Sequence, residues 1–226
     1  MSELADVSGA EADAVCRARS ALMRVGTAHM YKHGEIMLLA GATDTHVLLL
    51  LNGFAKVTTT DDLGATVLVD IRAGGDVVGE TAAFDSEPRS ATVTAAQQVY
   101  VRRISQDEWL RWMVRYQAAG LAVSRSLAHR SRTAVRRRTQ FARGPVITRL
   151  CRAVLDLTGQ YGTPTPEGMS VRPGLTHAEW GELIGARERR VQHVLQELSA
   201  AQVVSYGRCR LTVHSVSALR EFAADK

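Results

Sequence analysis

The segment Gly79-Glu80-Thr81-Ala82-Ala83-Phe84-Asp85-Ser86-Glu87-Pro88-Arg89-Ser90-Ala91-Thr92-Val93 gathers the groups best suited to hold a small phosphate-bearing molecule. Arg89 carries a planar fork of donors that can take two phosphate oxygens at once. Pro88 fixes the backbone just before that fork. Gly79 has no Cβ, so its backbone N–H can come close to an oxyanion. Glu80 can accept from a sugar hydroxyl. After Arg89, the alternation of Ala91, Val93 and Ala95 with Thr92 and Thr94 reads as a half-buried strand. The bland reading of the same residues is a polar turn with a surface arginine.

The spacing decides between the two. The pattern resembles the phosphate-binding cassette of cyclic nucleotide-binding domains, which runs G-E, seven variable residues, then P-R-[ST/A]-A-T-V. Every fixed position is met here. The resemblance implies that Gly79, Glu80, Thr81, Arg89 and Ser90 contact a cyclic phosphate and its ribose.

A chain of 226 residues is long enough for two domains. The formal charge is +5, but its distribution says more. No acidic residue lies between Glu108 and Asp156, while that interval holds Arg111, Arg115, Arg125, Arg130, Arg132, Arg136, Arg137, Arg138, Arg143, Arg149 and Arg152. Charge of one sign over such a stretch points to a polyanionic or acidic partner. Cys16, Cys151 and Cys209 are isolated, which argues against a disulfide framework, a zinc site or a cysteine-held cluster. His29, His33 and His46 lack metal-ligand spacing, so no metal is expected. Neither a signal segment nor an apolar run of membrane-spanning length is visible, and the expectation is a soluble, cytoplasmic protein with no membrane partner.

Around the cassette, residues 11–24 read as a helix. Val47–Leu51, Ala55–Thr59, Val67–Ile71, Ala91–Ala95 and Val99–Ile104 read as short strands, punctuated by Gly53, Gly64 and Gly74-Gly75. Even spacing of short strands predicts a β-sandwich or jelly roll. Ser105 and Glu108 form a capping box that opens a long helix to about residue 143, with Gly120 its only serious weak point. Gly144-Pro145 ends it, and a helix follows over residues 146–158. Residues 159–174, rich in Gly and Pro, are expected to be a loop.

Thr176 and Glu179 form another capping box. Trp180, Leu183 and Ile184 give a short helix its inward face, and Gly185 makes a turn. Val191, Val194, Leu195 and Leu198 place the next helix against a core. Residues 203–213 then read as a β-hairpin wing with a basic tip. Two helices joined by a glycine turn, the second exposing basic and amide groups, have the geometry that enters a DNA major groove.

The whole order resembles the cAMP receptor protein and fumarate–nitrate reduction regulator (Crp/Fnr) family of transcription regulators. The resemblance implies an α+β fold: a cyclic nucleotide-binding β-roll over residues 1–117, a central dimerisation helix over 118–143, and a winged helix-turn-helix over 144–226. It implies double-stranded DNA and a second copy of the chain as partners, with RNA polymerase a further one, and Leu127 and Phe141 in the dimer contact. Arg130 matches the family's central helix. The adenine-gripping pair falls on Ala134 and Val135, with Thr133 one residue away, so Arg130, Thr133 and Ala134 complete the candidate ligand set. Ser131 and Arg138 make the helix seam polar. DNA contacts fall on His177, Arg187, Glu188, Arg189, Arg190, Gln192 and His193. Glu188, Arg189 and His193 are the base-reading positions, and Arg187 and Arg190 are phosphate contacts. No catalytic constellation is present and the chain is not expected to be an enzyme. No cofactor is required; cAMP or cGMP is the effector this reading allows. The alternatives are a constitutive DNA binder with a vestigial or differently liganded roll, and a scaffold whose basic helix binds an acidic protein.

Overall fold

A computed structural model describes residues 9–60, 64–141, 144–207 and 210–224, without side chains for 9–11 and 136–141. The side chains of Arg136, Arg137, Arg138 and Phe141, and all of Arg143, Arg208 and Cys209, therefore lie outside the described residues. The chain divides into two compact units, Glu3–Ser131 and Arg132–Lys226. The class is α+β.

The first unit runs α1 (Gly9–Leu22), β1 (Thr27–Tyr31), β2 (Ile36–Leu38), β3 (Val47–Leu50), β4 (Phe54–Thr60), β5 (Thr66–Ala73), β6 (Val77–Val78), α2 (Glu80–Asp85), β7 (Thr92–Ala95), β8 (Val99–Ile104) and α3 (Gln106–Arg115), then enters α4 (Gln117–Phe141). Its strands form two antiparallel sheets, ordered β1-β8-β3-β6 and β2-β7-β4-β5. β3 shows why the sheets and helices close together. All four of its residues are buried, because alternate side chains serve opposite faces. Leu48 and Leu50 enter the core with Met37, Leu38, Ala55, Val78, Val93, Val99 and Val101. Val47 and Leu49 face the other way, onto Ala18 and Leu22 of α1, Ala83 of α2, Trp109 and Trp112 of α3, and Ala119 of α4. The Trp112 indole Nε1 donates to the Ala18 carbonyl at 3.0 Å.

The capping box at Ser105 and Glu108 forms as the residues imply. The long helix after it does not run unbroken. Tyr116 leaves helical geometry at φ −119°, ψ 79°, and splits the segment into α3 and α4. No helix-breaking residue stands there. The break is tertiary: Trp109 and Trp112 on α3 and Ala119 on α4 all turn onto the same cluster, and Tyr116 packs against it. Gly120, the expected weak point, lies inside α4.

The second unit carries the rest of α4, then α5 (Val146–Tyr161), β9 (Thr163–Thr165), β10 (Gly168–Val171), α6 (His177–Ile184), α7 (Glu188–Ala200), β11 (Val204–Gly207), β12 (Arg210–Val213) and α8 (Val216–Ala223). α5 packs on α6, α7 and α8. Residues 159–174 are not a plain loop. α5 continues to Tyr161, and β9 and β10 pair as a hairpin whose β10 adds to the wing, giving the order β11-β12-β10-β9. Pro164 is tolerated because β9 is the edge strand. Gly168 sits at φ +133°, where a Cβ would strike the Val213 carbonyl oxygen. Cys151 is buried in α5, and that burial pushes its thiol up to about 12, so it behaves as an inert core residue.

Candidate effector pocket and nucleic-acid interface

The short α2 begins at Gly79, which takes the left-handed conformation at φ 84°. A Cβ there would meet the Arg89 Nη1 at 2.5 Å and the His46 carbonyl oxygen at 3.1 Å. Only glycine gives the turn and the close approach together. Arg89 is held on its backbone as well: its N–H donates to the Ala42 carbonyl and its carbonyl accepts from Gly41. Its side chain is 3% exposed. Nη1 donates to the Gly79 carbonyl at 2.8 Å, and Nη2 donates to the His46 carbonyl at 2.6 Å and to Asp44 Oδ2 at 2.8 Å. Its Nε is buried and has no hydrogen-bond partner among the described residues.

Glu80, the first residue of α2, is buried. Arg130 on α4 donates from Nη1 to Glu80 Oε1 at 2.6 Å, and the Arg130 Nε is also buried and unpartnered. Gln106 anchors the far end of α2 by donating to the Ala83 carbonyl and the Ser86 hydroxyl. Gly79, Glu80, Arg89 and Arg130 are therefore brought together, while Thr81 and Ser90 are exposed beside them. Thr133 is half-buried and Ala134 exposed, both in the second unit.

Asp44 and His46 are missing from the sequence-based set. The pairing of Leu48 with Val78 runs β3 beside β6 and so delivers the residues before β3 to those around Gly79. His46 Nδ1 lies 2.6 Å from Asp44 Oδ2, a hydrogen bond that assigns the Nδ1–H tautomer. Burial, and then the positive charge of Arg103, push His46 below its ordinary 6.5; Asp44 opposes them. Burial works to raise Asp44, but the hydrogen bond and charge of Arg89, helped by His46, hold it below its ordinary 3.8. Both groups bind fewer protons folded than unfolded, so the stability they contribute is complete above about pH 6.5. It falls as His46 and then Asp44 take up protons. Acidifying from neutrality to about pH 5 should lower the melting temperature of the wild-type roll more than that of His46→Gln. Equal losses would remove His46 from the account.

In the second unit, the capping box at Thr176 and Glu179 starts α6, and Gly185 at φ 64° ends it. Arg149 of α5 donates from Nη1 to the Ile184 and Gly185 carbonyls at 2.8 and 3.0 Å, satisfying the end of α6 at the turn. Arg152 donates to the Ala223 carbonyl. These two arginines are used inside the fold rather than held out to a polyanion, which corrects their place in the basic interval. Gly181 was also not singled out by sequence. A Cβ on it would lie 2.4 Å from the Ala186 carbonyl oxygen, so it permits the close return of the chain between the helices.

α7 buries Val191, Val194, Leu195 and Leu198. Arg187, Glu188, Arg189, Arg190, Gln192 and His193 are all exposed at its N-terminal end. His177 is half-buried, its ring 5.0 Å from that of Tyr206, whose hydroxyl donates to the Leu175 carbonyl. The wing is thereby tied to the start of α6. A short helix, a tight glycine turn and a second helix with a polar face form a winged helix-turn-helix.

Comparison with known proteins fits both halves. Residues 28–116 match the cyclic nucleotide-binding domain, and residues 148–222 match the Crp-like helix-turn-helix domain. The chain belongs to the Crp/Fnr family. This Crp/Fnr protein is 22% identical over 169 residues to the CRP-like cAMP-activated global transcriptional regulator of Mycobacterium tuberculosis, covering 75% of each chain. It is 23% identical over 178 residues to the cAMP-activated global transcriptional regulator CRP of Haemophilus influenzae, covering 78% of this chain and 79% of that one. The solved structure of FixK2 from Bradyrhizobium japonicum shares the fold, with a TM-score of 0.76 at 14% identity over 89% of this chain and 99% of that one. The Crp/Fnr protein is thus a Crp-like transcription regulator with a cyclic nucleotide-binding domain and a DNA-binding helix-turn-helix, and not an enzyme. Among the described residues, no helix is long and apolar enough to cross a membrane, and no group of three or more His, Cys, Asp and Glu could hold a metal.

Proposed function

We propose that the chain is a homodimeric, sequence-specific regulator whose β-roll senses a cyclic nucleotide, cAMP or cGMP, and so controls its grip on double-stranded DNA. The observation that carries this reading is the buried Arg89, with an unused Nε donor, beside a buried Glu80 held by Arg130. A monoanionic cyclic phosphate suits the guanidinium, and a ribose hydroxyl suits the carboxylate. Thr81 and Ser90 supply hydroxyls at the rim, and Thr133 and Ala134 are the positions that the family resemblance assigns to the base. The relatives named as cAMP-activated support a nucleotide of this class.

The proposed domains are 1–117, 118–143 and 144–226, with the central helix as the dimer contact. Leu121 and Val135 of α4 are 46% and 61% exposed. They recur at heptad spacing, as a helix pair requires. Leu127 is half-buried within its own protomer and contributes less. Dimerisation sets two recognition helices at half-sites about one helical turn apart. The effector acts by binding better to the dimer arrangement that fits those half-sites.

On DNA, Glu188 accepts from a cytosine amino group, Arg189 takes a guanine edge, and His193 reads a third base; Arg187, Arg190, Gln192 and His177 position the helix on the backbone. Arg189→Ala should relax base preference at a single position per half-site, at a cost of about 1–3 kcal/mol for the preferred base. Selection from a random-sequence duplex pool reads this directly. A uniform loss across all sequences would make Arg189 a phosphate contact instead.

The test of the reading is DNA affinity by fluorescence anisotropy, at fixed salt, with and without cAMP or cGMP. A rise with one nucleotide is expected. Equal affinity throughout would mark a constitutive regulator, and no salt-dependent DNA binding at all would favour a protein scaffold.

A further inference from the structure

We propose that Asp44 is a built-in competitor for the effector: its carboxylate takes the Arg89 Nη2 donor and must leave before a phosphate can be gripped side-on. The inference rests on the reading that this pocket takes a cyclic nucleotide. It concerns what the nucleotide has to displace.

The donors of Arg89 carry the argument. A guanidinium holds two phosphate oxygens side-on through Nε and Nη2. Here Nε is buried and unpartnered, while Nη2 already donates twice, to the His46 carbonyl and to Asp44 Oδ2. An anion that straddles Nε and Nη2 therefore displaces one of those two acceptors. The His46 carbonyl is main chain, directly before β3, which is paired on both sides by β6 and β8. It cannot withdraw without disturbing the sheet. The Asp44 side chain is 41% exposed, and it can turn into water. His46, whose Nδ1–H also donates to Asp44, helps keep the carboxylate in place until then.

Charge leads to the same residue. Glu80 is paired with Arg130, and Asp44 with Arg89. With both pairs made, an arriving monoanion meets a guanidinium already neutralised by its own chain. Removing the Asp44 charge leaves that guanidinium available. The acidic partner also explains how the roll tolerates a guanidinium buried this deeply. Asp44 thus sets the threshold concentration of effector, and it does so without touching the ligand.

Calorimetric titration of cAMP and cGMP into the full chain, wild type beside Asp44→Asn and Asp44→Ala, tests this. Asn keeps the shape and can still accept a hydrogen bond, but lacks the charge. Affinity for the nucleotide should rise by about tenfold in both variants, and the gain should vanish in the Asp44→Asn, Arg89→Ala double variant. A wild type too weak to measure beside a variant that binds also supports the competitor. If the wild type binds and both variants bind equally or more weakly, the competitor is wrong and the nucleotide reading stands. If wild type and variants all bind neither nucleotide, both fall. A measurement without substitution gives a further check. In carbon-13-labelled wild-type protein, saturation with the nucleotide should move the Asp44 carboxyl titration to higher pH, since Arg89 no longer holds it down. An unmoved titration in the complex overturns the proposal.

Discussion

Arg89→Ala should abolish nucleotide binding and also lower the stability of the β-roll by about 2–3 kcal/mol. The loss of binding follows from removing the only side chain in the cassette with a phosphate-shaped fork. The loss of stability follows from the contacts Arg89 makes within its own chain. Its side chain ties Gly79, His46 and Asp44 together, and truncation removes the arginine donors from two carbonyls and a carboxylate at once. Arg89→Lys separates the two effects. A lysine keeps a charge near Asp44 but presents no fork, so it should recover part of the stability and little of the affinity. Thermal unfolding and titration on the same samples read both. Unchanged stability in Arg89→Ala would mean that the three contacts contribute nothing, and unchanged affinity would remove Arg89 from the site.

Gly181→Ala should weaken DNA binding on every sequence alike while leaving nucleotide binding intact. Helix propensity alone favours alanine in the middle of α6 by about 1 kcal/mol. The structure reverses that sign. The added Cβ would lie 2.4 Å from the Ala186 carbonyl oxygen, which is backbone and has no rotamer to escape into. Overpacking of this kind costs about 1–3 kcal/mol. The relief must come from the turn at Gly185 and Ala186, which sets the angle between α6 and α7. The same turn is held from below by Arg149 through the Ile184 and Gly185 carbonyls. A stabilised Gly181→Ala protein with normal DNA affinity would show that the close return of the chain is unimportant.

These two residues mark the limits of what was legible. The strands around Val47, Ala55, Val67 and Val99 could be read because alternation and glycine punctuation are local properties. The cassette could be read because its chemistry demands fixed types at fixed spacing. Both capping boxes formed for the same reason: each lies within a single helical turn. What escaped was set by contacts far apart in the chain. Asp44 reaches Arg89 only through the pairing of β3 with β6. Arg149 looked like one more member of a basic interval until α5 packed against α6. Tyr116 is an ordinary helix residue, and the break there comes from the tryptophans on one side and Ala119 on the other turning onto one cluster. The β9–β10 hairpin was hidden by the prolines and glycines that usually signal a loop, residues an edge strand also accepts.

The measurement that bears most directly on the central claim is a calorimetric titration of cAMP and of cGMP into the intact wild-type chain. The account predicts saturable binding of at least one of them, at a single class of site, with DNA affinity rising over the same concentration range. Heats of dilution alone for both nucleotides, with DNA affinity unmoved, would contradict it.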